Sequence, residues 1–153
     1  MGDEMSSKFL TDLDIQSCPT DESLWQLDKP LVYESDLMGK VEVPAGFFTD
    51  LASVPRVPFV YESWGNRCHR ASVLHDYAYR IDSKPQFTYR QANKIFREAM
   101  EATGASAKIR WPMWMGVFLG GWTSYHKKRV DWKPSDRVEC GPPDPTDSEL
   151  IKV

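Results

Sequence analysis

The spacing of apolar residues changes once along the chain, and that change restricts the fold to a sheet laid down first and helices packed on it afterwards. Leu24-Trp25-Gln26-Leu27 and Pro30-Leu31-Val32-Tyr33 read as two short strands with Asp28-Lys29 as the turn between them. After Asp36-Leu37-Met38-Gly39, the alternation Lys40-Val41-Glu42-Val43 marks a third strand with one buried face. Beyond Asn66 the apolar residues recur at three and four: Ala71, Leu74, Ala78 and Ile81 define a helix from about Asn66 to Ile81. A second helix starts near Thr88, a residue suited to an N-cap. It carries Ala92, Ile95, Phe96, Ala99 and Met100 on one face and is closed by Gly104. A third is expected from Pro112, a favoured first helical residue, to about Lys128. The pattern predicts an α+β fold, a small antiparallel β-sheet followed by three helices.

The 153-residue length suits one domain able to bury a core without metal or disulfide staples. Residues 1–20 read as a flexible N-terminal lead, 21–130 as a single α+β domain, and 131–153 as a Pro-rich extended or disordered C-terminal arm. Charged residues at 27% and apolar ones at 41% are ordinary for globular chains, and a net charge of -3 argues against a general nucleic-acid binder. Cys18, Cys68 and Cys140 are scattered and odd in number, which predicts no disulfide framework and a reducing compartment. Met1 to Leu10 shows no signal-peptide pattern. The run from Trp111 to Tyr125 is uncharged but too short for a transmembrane segment, so it is expected as a buried helix with Trp111, Trp114 and Trp122 in the core. The basic run His126-Lys127-Lys128-Arg129 is read as cations closing that helix at its carboxyl end.

Two segments set polar groups among apolar ones. Leu74-His75-Asp76-Tyr77-Ala78-Tyr79 places an imidazole, a carboxylate and two phenols on one helix. Val43-Pro44-Ala45-Gly46-Phe47-Phe48-Thr49-Asp50-Leu51-Ala52-Ser53-Val54-Pro55-Arg56 reads as a strand entering a tight loop that presents Asp50, Ser53 and Arg56. Together they predict a polar cleft built from Asp50, His75 and Asp76.

Neighbouring helical residues point about 100° apart, so His75 and Asp76 flank a cleft rather than share one partner. Tyr79 lies one turn beyond His75, on the same stripe. On the next helix, Asn93 lies where an amide can hold His75 in one tautomer without stabilising the imidazolium as a carboxylate would. Such a cluster suits an imidazole that accepts a proton near neutral pH beside a carboxylate that holds a hard cation. It equally suits a satisfied hydrogen-bond network tying helix to loop, with Thr49 and Asp50 capping a turn and Arg56 pairing with Asp76. Cys68-His69 followed by His75-Asp76 lacks the paired spacing of structural zinc sites.

The motifs VPAGFFTDLASVPR, HDYAY, RQANKIFREAM and the LGGW of Leu119 to Trp122, in this order over about residues 24 to 125, resemble a family of small tailed-phage and prophage proteins with no assigned function. That resemblance implies a phage or prophage origin, the host cytoplasm as the location during synthesis, and a virion with other phage structural proteins as one destination and set of partners.

A second, shorter resemblance covers about thirty residues. His75-Asp76-x-x-Tyr79, followed about eighteen residues later by a polar residue ahead of an Ile-Phe pair, is similar to the catalytic helix pair of the phospholipase A-two proteins, particularly the compact viral version. It implies His75 as the residue that activates water, Asp76 as a calcium ligand and the Asn93 position as the group that orients the histidine. This chain departs from the pattern in two ways. Asn93 stands where a carboxylate would orient the base, and no glycine-rich calcium loop precedes the helix, although Asp50 can supply a carboxylate from the loop.

The reading that follows is a metal-assisted hydrolase of an envelope lipid ester or cell-wall bond. In it His75, Asp50, Asn93 and Tyr79 form the catalytic cluster, and Asp76 and Asp50 hold a divalent cation, calcium or zinc. The alternative is a non-enzymatic tail or capsid component that binds other phage proteins.

Overall fold

The computed structural model describes residues 7–18, 21–51, 67–80 and 82–125. Six strands come first: β1 (Lys8–Phe9), β2 (Ile15–Cys18), β3 (Asp21–Leu27), β4 (Leu31–Ser35), β5 (Gly39–Val43) and β6 (Phe48–Thr49). Four helices follow: α1 (Arg67–Ala78), α2 (Tyr89–Ala102), α3 (Ala107–Gly120) and the single turn α4 (Trp122–Tyr125). The architecture is α+β, with the strands in two antiparallel three-stranded sheets, ordered β1-β4-β5 and β2-β3-β6.

One sheet was expected where there are two, because Asp28-Lys29 does not close a hairpin. The Asp28 N–H donates to the carbonyl of Asp14 at 2.9 Å and Lys29 pairs with the Asp14 carboxylate at 2.7 Å, so this corner is tied back toward β2. Pro30, without an N–H, then leads into a strand of the other sheet. The hairpin forms instead between β4 and β5, where Ser35 Oγ accepts from the N–H groups of Leu37 and Met38 at 3.1 Å each. Gly39 closes that turn at a φ of 72°, which a glycine adopts without strain.

The register of the hairpin sets Leu31 opposite Val43 and Tyr33 opposite Val41, all buried, while Glu34 faces Lys40 on the outer side. The period-two pattern of the sequence thus becomes one core face. Residues 8–9 and 15–18 fall inside the segment read as a flexible lead, yet they are strands. Phe9 packs against Tyr33 in a tilted arrangement, 4.6 Å between ring centroids, and Ile15 pairs with Leu27.

α2 matches its sequence signals closely. Thr88 Oγ1 accepts from Gln91 N–H at 3.3 Å and the Gln91 side chain accepts from Thr88 N–H at 2.9 Å, a reciprocal capping box. Ala92, Asn93, Ile95, Phe96, Ala99 and Met100 are buried on its inner face. Gly104, at a φ of 85°, ends the segment. Tyr33 donates its hydroxyl proton to Glu98 Oε1 at 3.0 Å, and Asp36 N–H reaches the same oxygen at 3.2 Å, which ties α2 to the β4–β5 hairpin.

α3 departs from expectation at both ends. It starts after Ser106, so Pro112 is an interior residue rather than the first one, and it stops at Gly120. Nor are its tryptophans core: Trp111 and Trp122 are exposed, and only Trp114 packs against the core. Met113 is the residue of α3 that is buried outright. Among the described residues, no helix is long and apolar enough to cross a membrane. The basic run at 126–129 and the arm at 131–153 lie outside the described residues, as do Ser53 and Arg56. Cys18 is disulfide-bonded, against the expectation that the cysteines form no bridge, while Cys68 is a free, buried thiol.

Removing the box at the start of α2 gives a direct check. Thr88→Ala should cost about 1 kcal/mol, seen as a fall in the urea midpoint and in Tm of about 2–4 °C for a chain of this size.

Candidate functional site

α1 sends the two sequence-predicted residues to different partners, turning His75 inward to α2 and Asp76 toward the strands. His75 is 2% exposed, with its ring against Tyr79 at 4.1 Å and Phe96 at 4.7 Å between centroids. His75 Nε2 lies 3.2 Å from Asn93 Oδ1, and the Tyr79 hydroxyl donates to the same oxygen at 3.0 Å. Asn93 Nδ2 donates to the carbonyl of Tyr89 at 2.8 Å.

That third contact decides the chemistry of the other two. A carbonyl accepts only, so the amide NH2 must face Tyr89 and Oδ1 must face His75. Oδ1 also only accepts, so Nε2 carries the ring proton and the lone pair of neutral His75 sits on Nδ1. The structure therefore places the expected amide against the expected imidazole and selects one tautomer. Burial pushes the Tyr79 phenol well above its ordinary range, outweighing the hydrogen bond to Asn93, so it remains a neutral donor.

Asp76 is half-buried and anchors the β half to α1. Thr49 donates its hydroxyl proton to Asp76 Oδ2 at 2.6 Å and accepts from Leu51 N–H at 3.1 Å. Leu51 sits at a φ of 52°, a left-handed conformation that a leucine adopts at a cost, held here beside the threonine hydroxyl. Asp50, half-buried, lies between these two residues in the chain. Thr49 was expected only as a turn cap, and its link to Asp76 had no sequence signal, since the two are 27 residues apart.

Gly121 is a second site residue that sequence reasoning did not single out, although it lies in the LGGW motif. A Cβ there would stand 2.5 Å from the Tyr79 hydroxyl and would overlap the carbonyl of Val117. The bare backbone at the α3–α4 break is thus what admits the phenol. Tyr89 adds a hydrogen bond from its hydroxyl to the carbonyl of Phe118, and Tyr125 donates to the carbonyl of Phe87 at 2.6 Å.

Among the described residues, no group of three or more His, Cys, Asp or Glu is placed to hold a metal ion. Burial pushes the Cys68 thiol up to about 11, which disfavours the thiolate a zinc ligand needs. An open concavity of about 430 Å³ in the β half is lined by residues of another set, including Asp12, Asp14, Lys29 and Glu42.

A family model described as "Protein of unknown function (DUF1353)" matches residues 25–117, and the chain belongs to that family. No curated protein and no solved structure matches it significantly.

Two measurements test this geometry. Gly121→Ala should lower stability by about 1–3 kcal/mol through overpacking at Tyr79, whereas Gly116→Ala, where a side chain meets nothing within 4 Å, should leave stability unchanged or raise it. Burial also holds the His69 imidazole below its ordinary 6.5, so the unfolded chain takes up a proton that the fold resists. Stability should be full above that pH and decline as pH falls below it, and His69→Gln should flatten the decline in acid-unfolding curves.

Proposed function

We propose that the protein is a phage- or prophage-encoded hydrolase acting on an envelope lipid ester, with His75 as the general base. The observation that supports this reading is the fixed tautomer: Asn93 Oδ1 accepts from His75 Nε2, so the lone pair of neutral His75 is on Nδ1. In the proposed step, Nδ1 takes a proton from water, the water oxygen attacks the ester carbonyl, and the imidazolium returns the proton to the departing alkoxide. Asp76 and Asp50 are the carboxylates that would hold a divalent cation, calcium or zinc, whose contribution would be to polarise the carbonyl. Tyr79 and Asn93 position the imidazole rather than touch the substrate.

An amide orients the base but adds no negative charge opposite the imidazolium, so the wild-type rate is expected to be low. Asn93→Asp supplies that charge and should raise ester hydrolysis at neutral pH about tenfold or more. His75→Ala should abolish it in either background, measured on phospholipid vesicles with calcium or zinc present. Equal, negligible turnover in wild type, Asn93→Asp and His75→Ala would remove the hydrolase reading.

One observation favours the alternative, a non-enzymatic virion component that binds other phage proteins. His75 is almost completely buried, and every contact just given also serves to lock α1 to α2. On this second reading the cluster is a structural junction, and purified virions should contain the protein at a fixed copy number.

A further inference from the structure

The outer face of α3 continues into α4 as a stripe of large apolar side chains in water. Trp111 is 45% exposed, Met115 51%, Leu119 72% and Trp122 66%. The first three recur every four residues and so line one side of the helix, together with Lys108 and Pro112, which are also exposed. The opposite side is apolar as well: Met113 is buried and Ile109, Trp114 and Val117 pack against the core. A helix apolar on both sides, with one side bare, calls for a second apolar surface.

Charge identifies that surface. From Ala102 to Val130 the sequence holds Lys108, Arg110, Lys127, Lys128 and Arg129 and no acid at all, whereas the other 14 Lys and Arg face 22 acids, a net charge of -8. Within the described part, Lys108 is exposed on the stripe, whereas Arg110 is largely buried and met by Glu101 at 3.5 Å; residues 127–129 lie outside the described residues. Arg97 from α2 lies over Trp111 at 4.9 Å and Trp114 at 5.3 Å, adding a cation beside the stripe. A second copy pairing through this face would bring Lys108 and Arg97 against their own kind. An anionic bilayer meets them with phosphates. The tryptophans at the two ends of the stripe have the amphipathic character favoured at the boundary between headgroups and acyl chains.

We propose that the α3–α4 face docks in the plane of an anionic phospholipid surface, with Trp111, Met115, Leu119 and Trp122 entering the headgroup boundary and Lys108 and Arg97 engaging lipid phosphates. The proposal rests on this face alone and holds whether or not His75 turns over an ester.

The test is flotation of the full chain with vesicles of phosphatidylcholine plus phosphatidylglycerol, against phosphatidylcholine alone, with light scattering on the free protein. The variant is the pair Met115→Ser and Leu119→Ser, which leaves net charge unchanged and alters only exposed positions, its fold checked by thermal melting. Wild type should float with the anionic vesicles only, release at high salt, and show tryptophan quenching by brominated lipid; the serine pair should lower binding about tenfold. No flotation of wild type, or flotation unaffected by the serine pair, would overturn the proposal. So would a wild-type dimer that ignores vesicles and becomes monomeric in the serine pair, because the occupant would then be a second copy.

Discussion

One amide holds the helical half in register. Asn93 is 1% exposed, its oxygen faces two donors and its nitrogen donates to a backbone carbonyl. A leucine of similar volume would remove the oxygen that His75 Nε2–H and the Tyr79 hydroxyl both face, and a buried polar group that loses its partner costs roughly 1–3 kcal/mol. Because those donors sit one turn apart, on α1 and just past its end, and the acceptor sits on α2, only one relative height of the two helices satisfies both bonds between them. Packing of Ala92, Ile95, Phe96 and Ala99 supplies the bulk of the burial, and apolar contacts of that kind tolerate sliding. The hydrogen bonds do not.

The sheets are joined to this helical pair by polar struts of the same type. Thr49 to Asp76 fixes the end of β6 against α1, and Tyr33 to Glu98 fixes β4 against α2. In both, a hydroxyl donates to a carboxylate across a large sequence separation. Burial and the neighbouring Glu98 charge push the Tyr33 phenol far above its usual range, so that strut keeps its donor well into alkaline solution. The hydrophobic core gives cohesion without direction, and these two contacts set how the strands lie on the helices.

The helical half was legible because its signals are local. A threonine three residues before a glutamine, a 3.6-residue stripe and a closing glycine are all properties of a short window, and α2 realises each of them. His75 and Asn93 could be paired from sequence for the same reason: two antiparallel helices joined by a short connection bring positions 18 apart into contact. Strand pairing is a property of the whole chain, so the apparent hairpin at Asp28-Lys29 proved to be a passage between sheets. Pro112 misled because its preference for the first turn is statistical, while Ser106 in extended geometry sets the actual start. Trp111 and Trp122 misled because composition records that a segment is apolar but not which of its sides meets the core. The Thr49–Asp76 contact carries no periodic signal and emerges only when β6 and α1 are placed together.

The exposed stripe and the buried imidazole are parts of one contiguous structure. Trp122 meets Tyr89 edge to face at 5.1 Å, and the Tyr89 carbonyl orients the Asn93 amide that selects the tautomer of His75. From the other side, the backbone at Gly121 touches the Tyr79 hydroxyl that shares the same amide oxygen. A rotation of α4 would therefore load both partners of Asn93 at once, through van der Waals contact on one side and a ring edge on the other. Close-packed interiors respond to such loads by switching between discrete arrangements rather than by bending. The glycine at the α3–α4 break thus acts through one missing methyl group: it keeps the phenol of Tyr79 within reach of the amide.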